Sequence, residues 1–209
     1  MSKFLSHTLV PLAFSRVGKI EGLENIPAKG SVLFVPNHIS YFDPVLLFSA
    51  VLEYTKRKIH FLATPKHWWF PGAKQIAQWS GTTFINESQK SEALDRMRSF
   101  LESGESAAIY PEGGRNDSPS LFRGKTGAAR LALWTRTPII PVGVNGPATR
   151  SVTKAWWYFI QKKSFTIRFG KPVPLDEFYS APISKELLYA VTKKIMSAVS
   201  QLCGKPYPW

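Results

Sequence analysis

Short apolar runs alternate along this chain with stretches of mixed hydrophobic and polar pattern, and the two periods assign different elements. Residues 31–35 (Ser-Val-Leu-Phe-Val) form a continuous apolar run and predict a buried strand. The pattern then turns polar before Asp43-Pro44 opens a short helix, with Asp43 near the N-cap, Pro44 at N1, and Val45, Leu46, Leu47 and Val51 on the buried side. Residues 59–63, 81–85 and 107–109 predict three further strands. Between the last two, Ala93, Leu94, Met97, Phe100 and Leu101 recur on one side of an amphipathic helix over 88–103, and Gly104 supplies its stop.

The second half continues the alternation. A small-residue helix is predicted over 127–135 and a buried strand over 139–144, where Pro141 marks a bulge or a sheet edge. Residues 165–169 alternate with period two, as a strand does. Ser184 caps a last helix whose Leu187, Leu188, Val191, Ile195, Val199 and Leu202 form one stripe, ended by Gly204. Residues 21–30 read as a loop. Strands alternating with helices over 209 residues, 44% of them hydrophobic, predict one α/β domain with a sizeable core and no linker or repeat.

Charge narrows the partners. Lys and Arg total 27 against 14 Asp and Glu, a net +13, which calls for an anionic partner: nucleic acid, an anionic membrane or a phosphorylated substrate. Seven Trp favour the membrane interface, and no helix-turn-helix, zinc or stacking-strand pattern marks a nucleic-acid binder, so none is expected as a partner. Two clusters interleave aromatic and basic residues, Lys66 to Pro71 with Trp68 and Trp69, and Trp156 to Ile160 between Lys154 and Lys162-Lys163. Each suits a lipid headgroup boundary or packing against the sheet. Residues 1–18 read as an amphipathic segment, with Phe4, Leu5, Leu9 and Leu12 for a bilayer surface or the domain itself, and residues 19–209 as the domain. No run reaches the roughly 20 apolar residues of a membrane span, and residues 4–15 lack a signal-peptide cleavage pattern. A peripheral protein on the cytoplasmic face of a membrane is expected. Cys203 is the sole cysteine, which excludes an internal disulfide and a cysteine metal site.

Candidate chemistry sits at the ends of two predicted strands. Residues 37–43 read Asn-His-Ile-Ser-Tyr-Phe-Asp. Five residues of separation across a tight turn let Asp43 orient one nitrogen of His38 while the other takes a proton, which is the supporting pair of a serine-hydrolase triad without its serine. A substrate hydroxyl would complete it, with His38 as general base. The same pair also serves as a capping or core hydrogen-bond pair. Residues 110–116 read Tyr-Pro-Glu-Gly-Gly-Arg-Asn. There Gly113 and Gly114 allow close backbone approach to an anion, and Arg115 offers a bidentate fork for phosphate or carboxylate.

Together Asn37-His38-x4-Asp43 and Pro111-Glu112-Gly113-x-Arg115 resemble the two signature blocks of the glycerolipid acyltransferase family, whose type member acylates 1-acylglycerol-3-phosphate (lysophosphatidate). Residues 20–27, 122–127 and 138–143 also resemble family blocks in the usual order. The resemblance implies a single α/β domain with a mixed β-sheet flanked by helices, as in glycerol-3-phosphate acyltransferase. It implies acyl-CoA or acyl carrier protein as donor, a lysophospholipid acceptor, and no metal or other cofactor. His38 and Asp43 are then the catalytic residues, and Glu112, Gly113, Gly114 and Arg115 bind substrate, with Arg123 and Lys125 as further cations or an ordinary solvated face. Glu112 is expected to pair with Arg115 or orient the substrate. Family members usually carry an Arg for the acceptor's phosphate where this chain has Glu87, and a carboxylate repels phosphate. Another lysolipid or a lipid alcohol therefore stands as an alternative acceptor. A non-catalytic basic protein binding membrane or nucleic acid stands as an alternative function.

Overall fold

The computed structural model describes residues 10–63, 82–84, 90–161 and 164–209. The Lys66–Trp69 cluster, Glu87 and residues 1–9 lie outside them. In chain order the elements are α1 (Val10–Phe14), β1 (Val17–Glu21), β2 (Leu33–Pro36), α2 (Asp43–Thr55), β3 (Ile59–Ala63), β4 (Thr83–Phe84), α3 (Lys90–Glu102), β5 (Ser106–Ala108), α4 (Gly127–Thr135), β6 (Ile139–Asn145), α5 (Val152–Ile160), β7 (Phe165–Phe169) and α6 (Lys185–Cys203), with short 3-10 turns at Leu23–Asn25 and Asp176–Phe178. The strands form one sheet in the order β1-β7-β6-β2-β5-β3-β4. Only β6 and β7 run antiparallel; all other neighbours are parallel. The expected single α/β domain with a mixed sheet is what the chain forms.

Central β2 is buried throughout, because helices cover both faces, and this explains its unbroken apolar run. Phe34 faces a core with Leu46, Leu47 and Val51 of α2, Ala13 of α1 and Phe159 of α5. Leu33 and Val35 face the other core, with Met97 of α3, Leu131 of α4 and Val191, Ile195 and Val199 of α6. The protein is thus a three-layer sandwich. The Ser184 hydroxyl accepts from the Leu187 N–H and begins α6. That helix lies so close on β6 that a Cβ on Gly143 would fall 2.5 Å from the Leu202 carbonyl carbon.

Four expectations need correction. The helix after residue 43 runs 13 residues rather than being short, and Phe42 is its N-cap, so Asp43 is its first helical residue. Pro141 marks neither a bulge nor an edge, since it pairs with Val35 in the middle of the sheet. It is tolerated because the β7 ladder covers only Val142 to Asn145, so no β7 ladder bond needs the N–H that proline lacks, while its carbonyl still accepts from the Gly170 N–H. A boundary after residue 18 falls inside β1, and Ala13 is buried in the core, so the fold takes in residues before 19. Finally, residues 21–30 contain the end of β1 and a 3-10 turn.

Candidate active site

Three neighbouring parallel strands, β5, β2 and β6, point their C-terminal ends at one edge, and the loops that leave them build the site. The loop after β2 is fixed first by Asn37. Its side-chain amide donates to the Val144 carbonyl at 2.9 Å and accepts from the Val144 N–H at 2.7 Å, standing in for a strand residue on β6 while the main chain leaves the sheet.

His38 comes next. Its Nδ1 lies 2.8 Å from Oδ2 of Asp43, and the same oxygen accepts from the N–H groups of Ile39 at 2.6 Å and Ser40 at 2.8 Å. Asp43 is fully buried while the His38 side chain keeps 17% exposure, and Nε2 makes no hydrogen bond among the described residues. A carboxylate held by backbone donors fixes the Nδ1–H tautomer and leaves Nε2 to accept a proton. The expected pair is therefore formed, with Asp43 reaching back from the first turn of α2 instead of capping it. Phe42, between the pair and α5, stacks on Phe159 at 4.1 Å and meets Trp156 edge-on at 4.9 Å.

The loop after β5 supports His38 from beneath. Glu112 is buried; one carboxylate oxygen accepts from the His38 N–H at 3.0 Å, the other from the Phe122 N–H at 3.0 Å and the Asn116 side-chain amide. It makes no ion pair with Arg115, against expectation, because both oxygens already face protein donors. The Asn116 N–H donates to the His38 carbonyl at 2.6 Å. Tyr110 lays its ring 4.3 Å from the imidazole. Its hydroxyl is buried without a partner, and burial together with the charge of Asp43 pushes that hydroxyl's pKa well up, so it stays protonated.

The remaining expected residues divide. Gly113 adopts φ +70, and a Cβ there would collide with the Lys125 ammonium, so Lys125 lies across this turn. Gly114 is exposed with open space around it. Arg115 stacks its guanidinium 3.3 Å from the centre of the Tyr41 ring. Burial lowers its pKa from the ordinary arginine value, Tyr41 opposes that, and Arg150 nearby lowers it further. Arg123 turns elsewhere, to the Tyr189 ring of α6 at 5.1 Å. Sequence reasoning missed Asn37, Asn116, Tyr41, Tyr110 and Arg150. All but Arg150 stand inside residues 37–43 and 110–116, and for Asn37 its place directly after a strand was the available signal.

A family model described as acyltransferase matches residues 18–145, more than half of the chain and all of the loops described except the segment around Arg150. The chain belongs to the acyltransferase family. The chain is 32% identical over 127 residues to the 1-acyl-sn-glycerol-3-phosphate acyltransferase of Borreliella burgdorferi, covering 59% of this chain and 49% of that protein. It is 31% identical over 167 residues to the enzyme of that name from Saccharomyces cerevisiae, covering 76% and 52%. It is also 30% identical over 159 residues to the human beta form, covering 72% and 54%. The chain spans about half the length of the curated relatives it matches. The crystal structure of the 1-acyl-sn-glycerophosphate acyltransferase of Thermotoga maritima superposes with a TM-score of 0.62 at 20% identity, over 96% of this chain and 81% of that one, and so shares the fold. Among the described residues, no helix is long and apolar enough to cross a membrane.

Proposed function

We propose that the protein transfers a fatty acyl group from an acyl thioester, acyl-CoA or acyl carrier protein, to the free hydroxyl of 1-acylglycerol-3-phosphate, giving phosphatidate. The observation that carries this is the His38–Asp43 pair, with Nδ1 held at 2.8 Å and Nε2 without a partner among the described residues. Nε2 takes the acceptor's hydroxyl proton as that oxygen bonds to the thioester carbonyl carbon. Collapse of the tetrahedral adduct breaks the carbon–sulfur bond, and the imidazolium returns the proton to the leaving thiolate. Asp43 stabilises the transient imidazolium. The acceptor hydroxyl fills the place of a nucleophilic serine, so no acyl-enzyme forms.

Arg115 and Lys125 supply positive charge beside the dyad. Support for docking on an anionic membrane comes from α5, whose Trp156, Trp157 and Ile160 are 48%, 65% and 63% exposed. The buried side of that helix holds Phe159 against Phe42, so the apolar surface adjoins the dyad and a lysolipid entering from the bilayer meets His38 directly. The test is mass-spectrometric detection of product from purified protein, a long-chain acyl-CoA or acyl carrier protein, and a panel of lysolipids, with His38→Ala as control. Phosphatidate formed by the wild type alone is the expected result. Product only from other acceptors keeps the chemistry and replaces the substrate, while no product with either donor overturns the reading.

A further inference from the structure

The loop that carries His38 exposes two consecutive carbonyls, and each is gripped by a neighbouring segment that brings a guanidinium with it. The His38 carbonyl accepts from the N–H of Asn116, the residue after Arg115; the Ile39 carbonyl accepts at 2.8 Å from the N–H of Thr149, the residue before Arg150. Thr149 is buried, and the Ser151 hydroxyl starts α5 immediately afterwards, so the backbone on both sides of Arg150 is fixed. Two cations are thus anchored to adjacent peptides of the catalytic loop.

Among the described residues, neither forms an ion pair with an acid, and Asp43, whose charge reaches Arg115, has its Oδ2 occupied by three donors. Like charges held near one another without a counter-ion raise the energy of the empty site, and an anion between them relieves it. Arg115 lies over the Tyr41 ring and hydrogen-bonds that side chain, which holds the guanidinium in place, and a guanidinium's five N–H donors exceed what one tyrosine can take up.

From this arrangement we infer that Arg150 is a specificity-determining residue, the second half of a clamp that with Arg115 binds a phosphate monoester. Two guanidiniums match the two charges of a monoester better than the single charge of a phosphodiester. The inference rests on the acyltransferase reading and refines it. Such a group occurs both on lysophosphatidate and on the ribose of coenzyme A. In the first it is carried by the carbon next to the one bearing the hydroxyl that His38 must reach; in the second it lies a whole pantetheine arm from the thioester. Anchorage to the His38 loop itself therefore assigns the clamp to the acceptor. Arg123, over the Tyr189 ring of α6, is no member of this clamp.

The experiment pairs kinetics with binding on the full chain. Arg150→Gln, at an exposed side chain, is expected to raise KM for lysophosphatidate about 10–100-fold, as loss of a bidentate charge-assisted contact does, with KM for acyl-CoA moving less than twofold and Arg150→Lys recovering part of the loss. A rise confined to acyl-CoA assigns the clamp to coenzyme A and overturns the proposal, as does an unchanged or equal effect on both substrates. Calorimetric titration with glycerol 3-phosphate separates this from the reaction itself. Wild-type binding that weakens to the same degree in Arg150→Gln upholds the clamp even if no turnover is seen; no difference between the two proteins refutes it.

Discussion

Replacing Glu112 by Gln tests whether this carboxylate orients substrate or holds the catalytic loop. Its two oxygens face three donors, the N–H groups of His38 and Phe122, each at 3.0 Å, and the Asn116 amide. A glutamine has one acceptor oxygen, so in either orientation its NH2 faces at least one buried donor. Losing a hydrogen bond to a charged group costs about 1.5–3 kcal/mol, and the unmatched donor adds about 1–3 kcal/mol. A total of about 3–5 kcal/mol is a large part of the roughly 5–15 kcal/mol by which domains are stable. Urea denaturation followed by tryptophan fluorescence should show the midpoint falling by about 1–2 M at an unchanged slope. In conditions where the variant is folded, kcat should fall because the His38 peptide has lost its support. A midpoint within about 0.3 M of wild type, with the whole kinetic effect in KM, would refute the reasoning and return Glu112 to the substrate.

Other outcomes follow from single features. The Tyr110 hydroxyl keeps its proton to higher pH in the folded chain than the ordinary tyrosine value of about 10 allows when unfolded; its contribution is therefore complete below that value and is lost as pH rises toward the folded pKa. Stability measured from pH 8 to 11.5 should fall less steeply in Tyr110→Phe, and parallel curves would contradict this account. Trp156→Ser with Trp157→Ser should weaken sedimentation with anionic phosphatidylglycerol vesicles by about tenfold or more, and equal binding would remove α5 from the membrane contact. Gly143→Ala, whose Cβ would meet the α6 backbone, should lower Tm by at least about 2 °C through overpacking, and an unchanged Tm would show that α6 can shift.

Periodic elements were legible because burial itself made their pattern. The strand over 165–169 and the helix over 127–135 coincide with β7 and α4, and Leu188, Val191, Ile195 and Val199 of the α6 stripe are buried, while Leu187 and Leu202 at its two ends are half-buried. β1 was not legible: it is an edge strand paired only with β7 and partly exposed along its length, so no alternation marked it. At the site, five residues of spacing sufficed to pair His38 with Asp43, since a strand-to-helix turn leaves few alternatives. The role of Glu112 depends on a contact 74 residues away in sequence, and a carboxylate gives no sign of which donors it will meet. Arg150 follows no pattern of its own; only the bond from Thr149 to Ile39 places it.

Seven of the eight main-chain polar groups of residues 37–40 bond within the protein. Their four N–H groups donate to Val142, Glu112 and, twice, Asp43, and the carbonyls of residues 38–40 accept from Asn116, Thr149 and Asp43. The conformational entropy of ordering this segment is therefore lost when the chain folds and not when substrate arrives. Such a loop has no looser resting state to pass through on warming, so activity and global structure should disappear together, in one thermal transition, with no temperature range in which the folded protein is already inert.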